Sequence, residues 1–220
     1  MHSTLETEKP SINYKNIEQE KEFIQKQAGY VWNHLYDHNL INNIRFPEGL
    51  YYEDIAFAFP VFTVAKKCVI SSEILYYYRR HFNSTTLQNM LKPNEHILDV
   101  YHSLLELKEN CKKLGTYETY KKQIDEVLKF TSIYPMYTVN TWLSMSKEEK
   151  RKVIALLYQY AAKKYQYENI LDIPLVKDKC QKSFIYRMRV KQTTKILPTI
   201  KEEPHGNELS IALELIRKNI

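Results

Sequence analysis

The stretch Phe46-Pro47-Glu48-Gly49-Leu50-Tyr51-Tyr52-Glu53-Asp54-Ile55-Ala56-Phe57 constrains this chain more than any other. Pro47 and Gly49 interrupt regular structure, and Ile55, Phe57, Phe59, Val61 and Phe62 then leave almost no polar surface. The pattern predicts a helix from about Glu53, buried on most sides, with two adjacent carboxylates at its mouth. Two roles are open to Glu53 and Asp54. Acids at a helix start are stabilised by the macrodipole and the free backbone N–H groups. A carboxylate partly desolvated there also has its pKa reset by burial and by neighbouring charge, which suits a general base. Pro60 is expected to bend or shorten the helix, because it removes a backbone donor.

Composition closes several other routes. The four glycines, at 29, 49, 115 and 206, cannot write a dinucleotide fingerprint or a phosphate-binding Gly-rich loop. Cys68, Cys111 and Cys180 lie far apart without a C-x-x-C pair, which predicts reduced buried thiols in a cytoplasmic protein. No apolar run approaches the length of a bilayer span. A net charge of +6 attracts polyanions, but lysines scattered over helices give the same total, and no recognised nucleic-acid motif accompanies the charge. No nucleic-acid partner is expected.

Along the chain, residues 1–13 are polar and aperiodic and read as a flexible lead. Residues 14–28 suggest a modest amphipathic helix ended by Gly29, and Val31 to Asn42 a second short one. His34 and His38, four apart, could then share a helix face for a metal, although no third ligand is predictable. Cys68-Val69-Ile70 and Ile74 to Tyr78 read as two short strands. From Lys92 the pattern turns helical: Pro93 to Leu114 with Gly115 as a stop, Tyr117 to Leu143 kinked by Pro135, and a helix opened by the capping box Ser146 to Glu149.

Pro174 to about Leu197 interleaves seven cations with Phe184, Ile185, Tyr186, Met188 and Val190. Such a helix either lies on an anionic membrane surface or turns a solvated basic face outward while packing on its neighbours. Pro198, Pro204 and Gly206 form a linker, and Glu208 to Asn219 a terminal amphipathic helix. The fold class expected is α+β, mainly helical, with residues 14–91 as one region, 92–197 as a helical extension and 198–220 as linker and terminal helix.

The segment Arg79-Arg80-His81-Phe82-Asn83-Ser84-Thr85-Thr86 gathers cations, an imidazole and hydroxyls, a mixture suited to a pyrophosphate. A basic loop pairing with surface acids has the same composition.

Three runs together, Tyr30 to Tyr36, Asn43-Ile44-Arg45-Phe46-Pro47-Glu48-Gly49 to Phe57, and Ile74 to Arg80 with Ser84 to Thr86, resemble the acceptor-side half of a bacterial family 2 glycosyltransferase of the GT-A type. The resemblance covers about residues 28 to 90. It implies transfer of a sugar from a nucleotide-sugar donor to a saccharide, polyol or lipid-linked acceptor in cell-surface polysaccharide synthesis, at the inner face of the membrane. In that family the second acid of the pair is the base, here Asp54, with Glu53 orienting it or the acceptor. Trp32 and Asn33 match the segment lining the acceptor cleft; Arg79, Arg80 and His81 match the loop over the donor diphosphate. The family also uses a divalent metal, manganese or magnesium, held by an Asp-x-Asp motif that occurs nowhere in this sequence. The expectation is an acceptor-side part of such an enzyme, completed by an amino-terminal donor-binding partner. A non-catalytic helical binding module derived from one is the alternative.

Overall fold

The computed structural model describes residues 11–27, 29–79, 81, 84–85, 94–142, 145–195, 197 and 206–219. Arg80, Pro93, Pro198, Pro204 and most of the expected lead lie outside these residues. The described chain is α+β and mainly helical, as expected, with a two-stranded antiparallel sheet. Strands β1 (Ile12–Asn16) and β2 (Lys67–Ser71) pair with Ile12 opposite Ser71 and Tyr14 opposite Val69. The helices are α1 (Glu22–Lys26), α2 (Glu53–Val64), α3 (Asp99–Lys113), α4 (Lys121–Ser132), α5 (Tyr134–Trp142), α6 (Lys147–Tyr165), α7 (Pro174–Lys182), α8 (Phe184–Thr194) and α9 (Glu208–Arg217). The main apolar core runs from Ile17 to Ile216, so the segments at both ends of the described chain share it, and Ile44, Phe57 and Val61 form a second, smaller cluster.

The acid-bearing helix is the spine of this core. Residues Ala56 to Thr63 of α2 are buried without interruption, and the helix packs along α3. Pro60 neither ends nor shortens it. Proline has no N–H to offer the carbonyl of Ala56 four residues back, and Asn110 Nδ2 of α3 donates to that carbonyl at 3.1 Å instead. Thr63 Oγ1 donates to the Pro60 carbonyl at 2.7 Å and lies 2.7 Å from Thr116 Oγ1, tying the end of α2 to the turn after α3. Further along, α5 and α9 pack on α6.

Several elements differ from the sequence reading. The partner of β2 is β1, which takes in Ile12 and Asn13 of the expected lead. Ile74 to Tyr78 has no ladder partner among the described residues. The helix expected over 14–28 contracts to α1, because the Asn16 side chain accepts the N–H groups of Glu18 and Gln19 and turns the chain just after β1. Val31 to Asn42 is a series of turns with a single 3-10 turn at His38–Leu40, where the Asp37 carboxylate accepts the N–H of Asn39 at 2.8 Å. His34 and His38 therefore share no helix face. The segment after Pro174 is two helices, separated at Ser183, whose hydroxyl accepts the N–H of Tyr186.

Other features follow the pattern. Gly115 closes α3 at φ +69°. The α4–α5 break falls at Ile133, just before Pro135. Ser146 and Glu149 form the reciprocal capping box of α6.

Candidate functional site

The turn before α2 sets the two acids. Gly49 is at φ +72° and Tyr52 at φ +65°, so the chain reverses twice before the first helical residue. Asp99, in the first turn of α3, clamps this turn: its Oδ2 accepts the N–H of Tyr51 at 3.2 Å and His96 Nδ1 at 2.8 Å. The His96 ring stacks on Tyr51 with centroids 4.3 Å apart, and Ser103 Oγ donates to the Tyr51 carbonyl at 3.1 Å. Tyr52 packs edge-on against Tyr134.

With the turn held, the acids diverge. Glu53 is exposed, while Asp54 is half-buried. Burial, and next the charge of Glu53, push the Asp54 carboxyl up to about 6, against backbone N–H groups at Asp54 and Ile55 that favour the carboxylate. The two members of the pair thus occupy different environments. Asp54 is ionised at neutral pH and is basic enough to accept a proton. Burial, and next the charge of Asp54, push the Tyr36 phenol up to about 12, and its buried hydroxyl has no hydrogen-bond partner among the described residues.

The segment carrying Trp32 and Asn33 lies along the same helix. A Cβ on Gly29 would stand 3.1 Å from Ile55 Cγ1 and 3.4 Å from the Phe59 ring, so this backbone rests directly on α2, one residue past Asp54. His34 packs edge-on to Phe62, and Tyr36 edge-on to Phe57. Desolvation holds the His34 pKa down, so the ring is neutral; Nδ1 donates to the Tyr30 carbonyl at 2.8 Å.

Trp32 is exposed and stands at the centre of four rings. Tyr30 stacks on it at 5.5 Å, Tyr76 at 5.3 Å, and Tyr78 leans on it at 4.9 Å. All four rings are between 39% and 52% exposed, and so form a solvent-facing aromatic surface. Tyr76 and Tyr78 reach Trp32 together because alternate residues of an extended chain share a face; Tyr77, 83% exposed, faces away. The run read as a strand therefore works as a strap across Trp32. Asn33 is exposed next to Trp32.

Arg79 follows Tyr78 directly, and both it and His81 are exposed. The structure thus gathers Tyr30, Trp32, Tyr76 and Tyr78 into one ring cluster, with Arg79 next in the chain, while the backbone at Gly29 rests on α2 beside Ile55. Among the described residues no hydrogen bond or ion pair joins Arg79 or His81 to Glu53 or Asp54. Tyr30, Tyr36, Tyr76, Tyr78, His96 and Asp99 are the additions that sequence reasoning missed; the aromatic spacing of two, at 30 and 32 and again at 76 and 78, was the available signal.

Among the described residues no three His, Cys, Asp or Glu side chains cluster to hold the divalent metal that the resemblance implies. Among the described residues no helix is long and apolar enough to cross a membrane. Compared with known proteins, the chain matches no family model, no curated protein and no solved structure, so its family remains a resemblance carried by the residues themselves.

Proposed function

We propose that the protein is the acceptor-side part of an inverting glycosyltransferase that moves a sugar from a nucleotide-sugar donor to a saccharide or polyol acceptor. The observation that carries this reading is the half-buried Asp54, raised to about 6, on a helix overlain by the segment that presents the Trp32 aromatic surface. An aromatic face stacks on the apolar face of a sugar ring, and a carboxylate of that basicity takes a hydroxyl proton near neutral pH.

In the reaction, the acceptor O–H proton passes to the Asp54 carboxylate as the oxygen attacks the anomeric carbon. The bond from that carbon to the diphosphate breaks, and the departing diphosphate keeps the electron pair. Glu53, exposed beside Asp54, orients the acceptor; Arg79 and His81 stabilise the leaving charge.

The test is turnover of UDP- and GDP-linked hexoses by the chain with candidate saccharide acceptors, alone and with a separate donor-binding subunit supplied. The expected product has inverted anomeric configuration, and Asp54→Asn lowers turnover by about 10²- to 10⁴-fold with acceptor binding retained. A second reading, a saccharide-binding module without catalysis, is favoured by the exposed four-ring surface, which needs no acid to bind a sugar. Saccharide binding that Trp32→Ala abolishes, without turnover in any combination, selects the module. Neither binding nor turnover overturns both.

A further inference from the structure

Helix α8 has two apolar faces, and the core uses one. Val190 and Thr193 are buried, and Tyr186 packs against Phe130 and Tyr137. At 100° per residue these three positions centre on one side of the helix. Phe184 (70% exposed), Ile185 (66%) and Met188 (39%) centre on nearly the opposite side, in solvent. No carboxylate interrupts α8. Arg189 and Lys191 flank the outer apolar face, and Lys195 follows within one turn, all exposed. On α7 the cations are engaged, Lys177 with Asp172, Lys182 with Asp178 and Lys179 over the Phe130 and Tyr186 rings, so the cations of the outer face are those of α8 and Lys195.

A solvated basic helix has no reason to hold a Phe, an Ile and a Met together on its outer face. A helix folded wholly onto the core would have turned them inward. An apolar strip about one residue wide, bordered by cations and free of acids, is complementary to the boundary between anionic headgroups and acyl chains. We propose that the outer face of α8 docks the protein on an anionic phospholipid membrane, with Phe184, Ile185 and Met188 inserted and Arg189, Lys191 and Lys195 at headgroup level. The inner face, through Tyr186 and Val190, joins the docked helix rigidly to the core. The proposal does not depend on the glycosyltransferase reading.

The test is co-sedimentation of the full chain with phosphatidylcholine vesicles and with vesicles containing about a third phosphatidylglycerol. Binding to the anionic vesicles, weakened but not abolished by raised salt, is expected. Phe184→Ser with Ile185→Ser lowers the partition constant about tenfold or more, and Arg189→Gln and Lys191→Gln each lower it about fivefold. These side chains are exposed, so circular dichroism of the variants should match the parent. Three results overturn the proposal: no binding to anionic vesicles, equal binding by the Phe184→Ser/Ile185→Ser variant, or burial of the patch in a dimer of the chain that the same variant dissolves.

Discussion

Asn110 supplies the hydrogen bond that Pro60 withholds: its Nδ2 donates at 3.1 Å to the Ala56 carbonyl, the acceptor a proline four residues later leaves without its helical partner. This exchange lets a proline sit inside a helix buried on all sides and fixes α3 against α2 at a set register. Asn110→Ala strands a carbonyl in the core and is expected to cost about 1 to 3 kcal/mol, read as a lowered midpoint of denaturant unfolding. Pro60→Ala restores the helical donor, so the loss caused by Asn110→Ala should be smaller in that background. Additive effects in the double-mutant cycle would break the proposed link.

On the proposed reading, stability and activity are in opposition at Asp54. Its carboxyl is raised from an ordinary value near 3.8 to about 6. Between those values the folded protein holds a proton that the unfolded chain has released, so stability falls as pH rises through the window and stays lower above it. Allowing for solvent screening at a half-exposed group, the ionised form costs about 1 to 2 kcal/mol. Asp54→Asn should therefore raise the melting temperature at pH 7.5, with the gain fading below pH 4. The same group predicts an activity that rises with pH through about 6. A variant no more stable than the parent at pH 7.5 would show that Asp54 is not strained by ionisation.

Much of this was legible in the sequence where local chemistry decides structure. The acids open α2 because an apolar run follows a Pro–Gly turn, and Ser146 to Glu149 caps α6 because the two side chains satisfy each other's backbone. The sheet was not legible for the same reason in reverse. Ile12, Tyr14 and Lys15 alternate only weakly, and their partners lie more than fifty residues away. The β-rich run Ile74 to Tyr78 has the composition of a strand, but its tyrosines find Trp32 rather than a ladder. In the candidate site, Asp54 could be read from position, whereas the Asp99 clamp and the ring cluster depend on contacts made between distant segments.

The Asp99 clamp acts on the turn, not on the chemistry. Asp99→Ala removes the acceptor shared by the Tyr51 N–H and His96 Nδ1, leaving a half-buried backbone donor unmet. A loss of about 1 to 3 kcal/mol follows. If the clamp serves the site, the remaining folded protein should also lose turnover while saccharide binding at Trp32 persists. Amide exchange at Tyr51 offers an independent readout, since its protection depends directly on the Asp99 carboxylate.

Gly29 is the point where the aromatic surface meets the acid helix. An added Cβ would meet Ile55 Cγ1 at 3.1 Å and Phe59 at 3.4 Å, distances a flexible side chain can relieve by a few tenths of an ångström. Gly29→Ala should therefore be tolerated within about 1 kcal/mol, since the two nearest atoms belong to side chains and the backbone Cα of Ile55, at 3.5 Å, is in ordinary contact. Gly29→Val adds two further carbons into the same contact, and overpacking of that kind costs about 1 to 3 kcal/mol. Because the segment can lift from α2 more easily than α2 can leave the core, the strain should appear as displacement of Trp32. The measurement is tryptophan fluorescence in a Trp142→Phe background, which leaves Trp32 as the only tryptophan, together with saccharide affinity. The Val variant should show altered emission and weakened binding with its helix content intact, whereas the Ala variant should keep both. Unchanged emission and binding in Gly29→Val would mean that the ring surface is positioned by the Tyr76–Tyr78 strap alone, independently of the helix that carries Asp54.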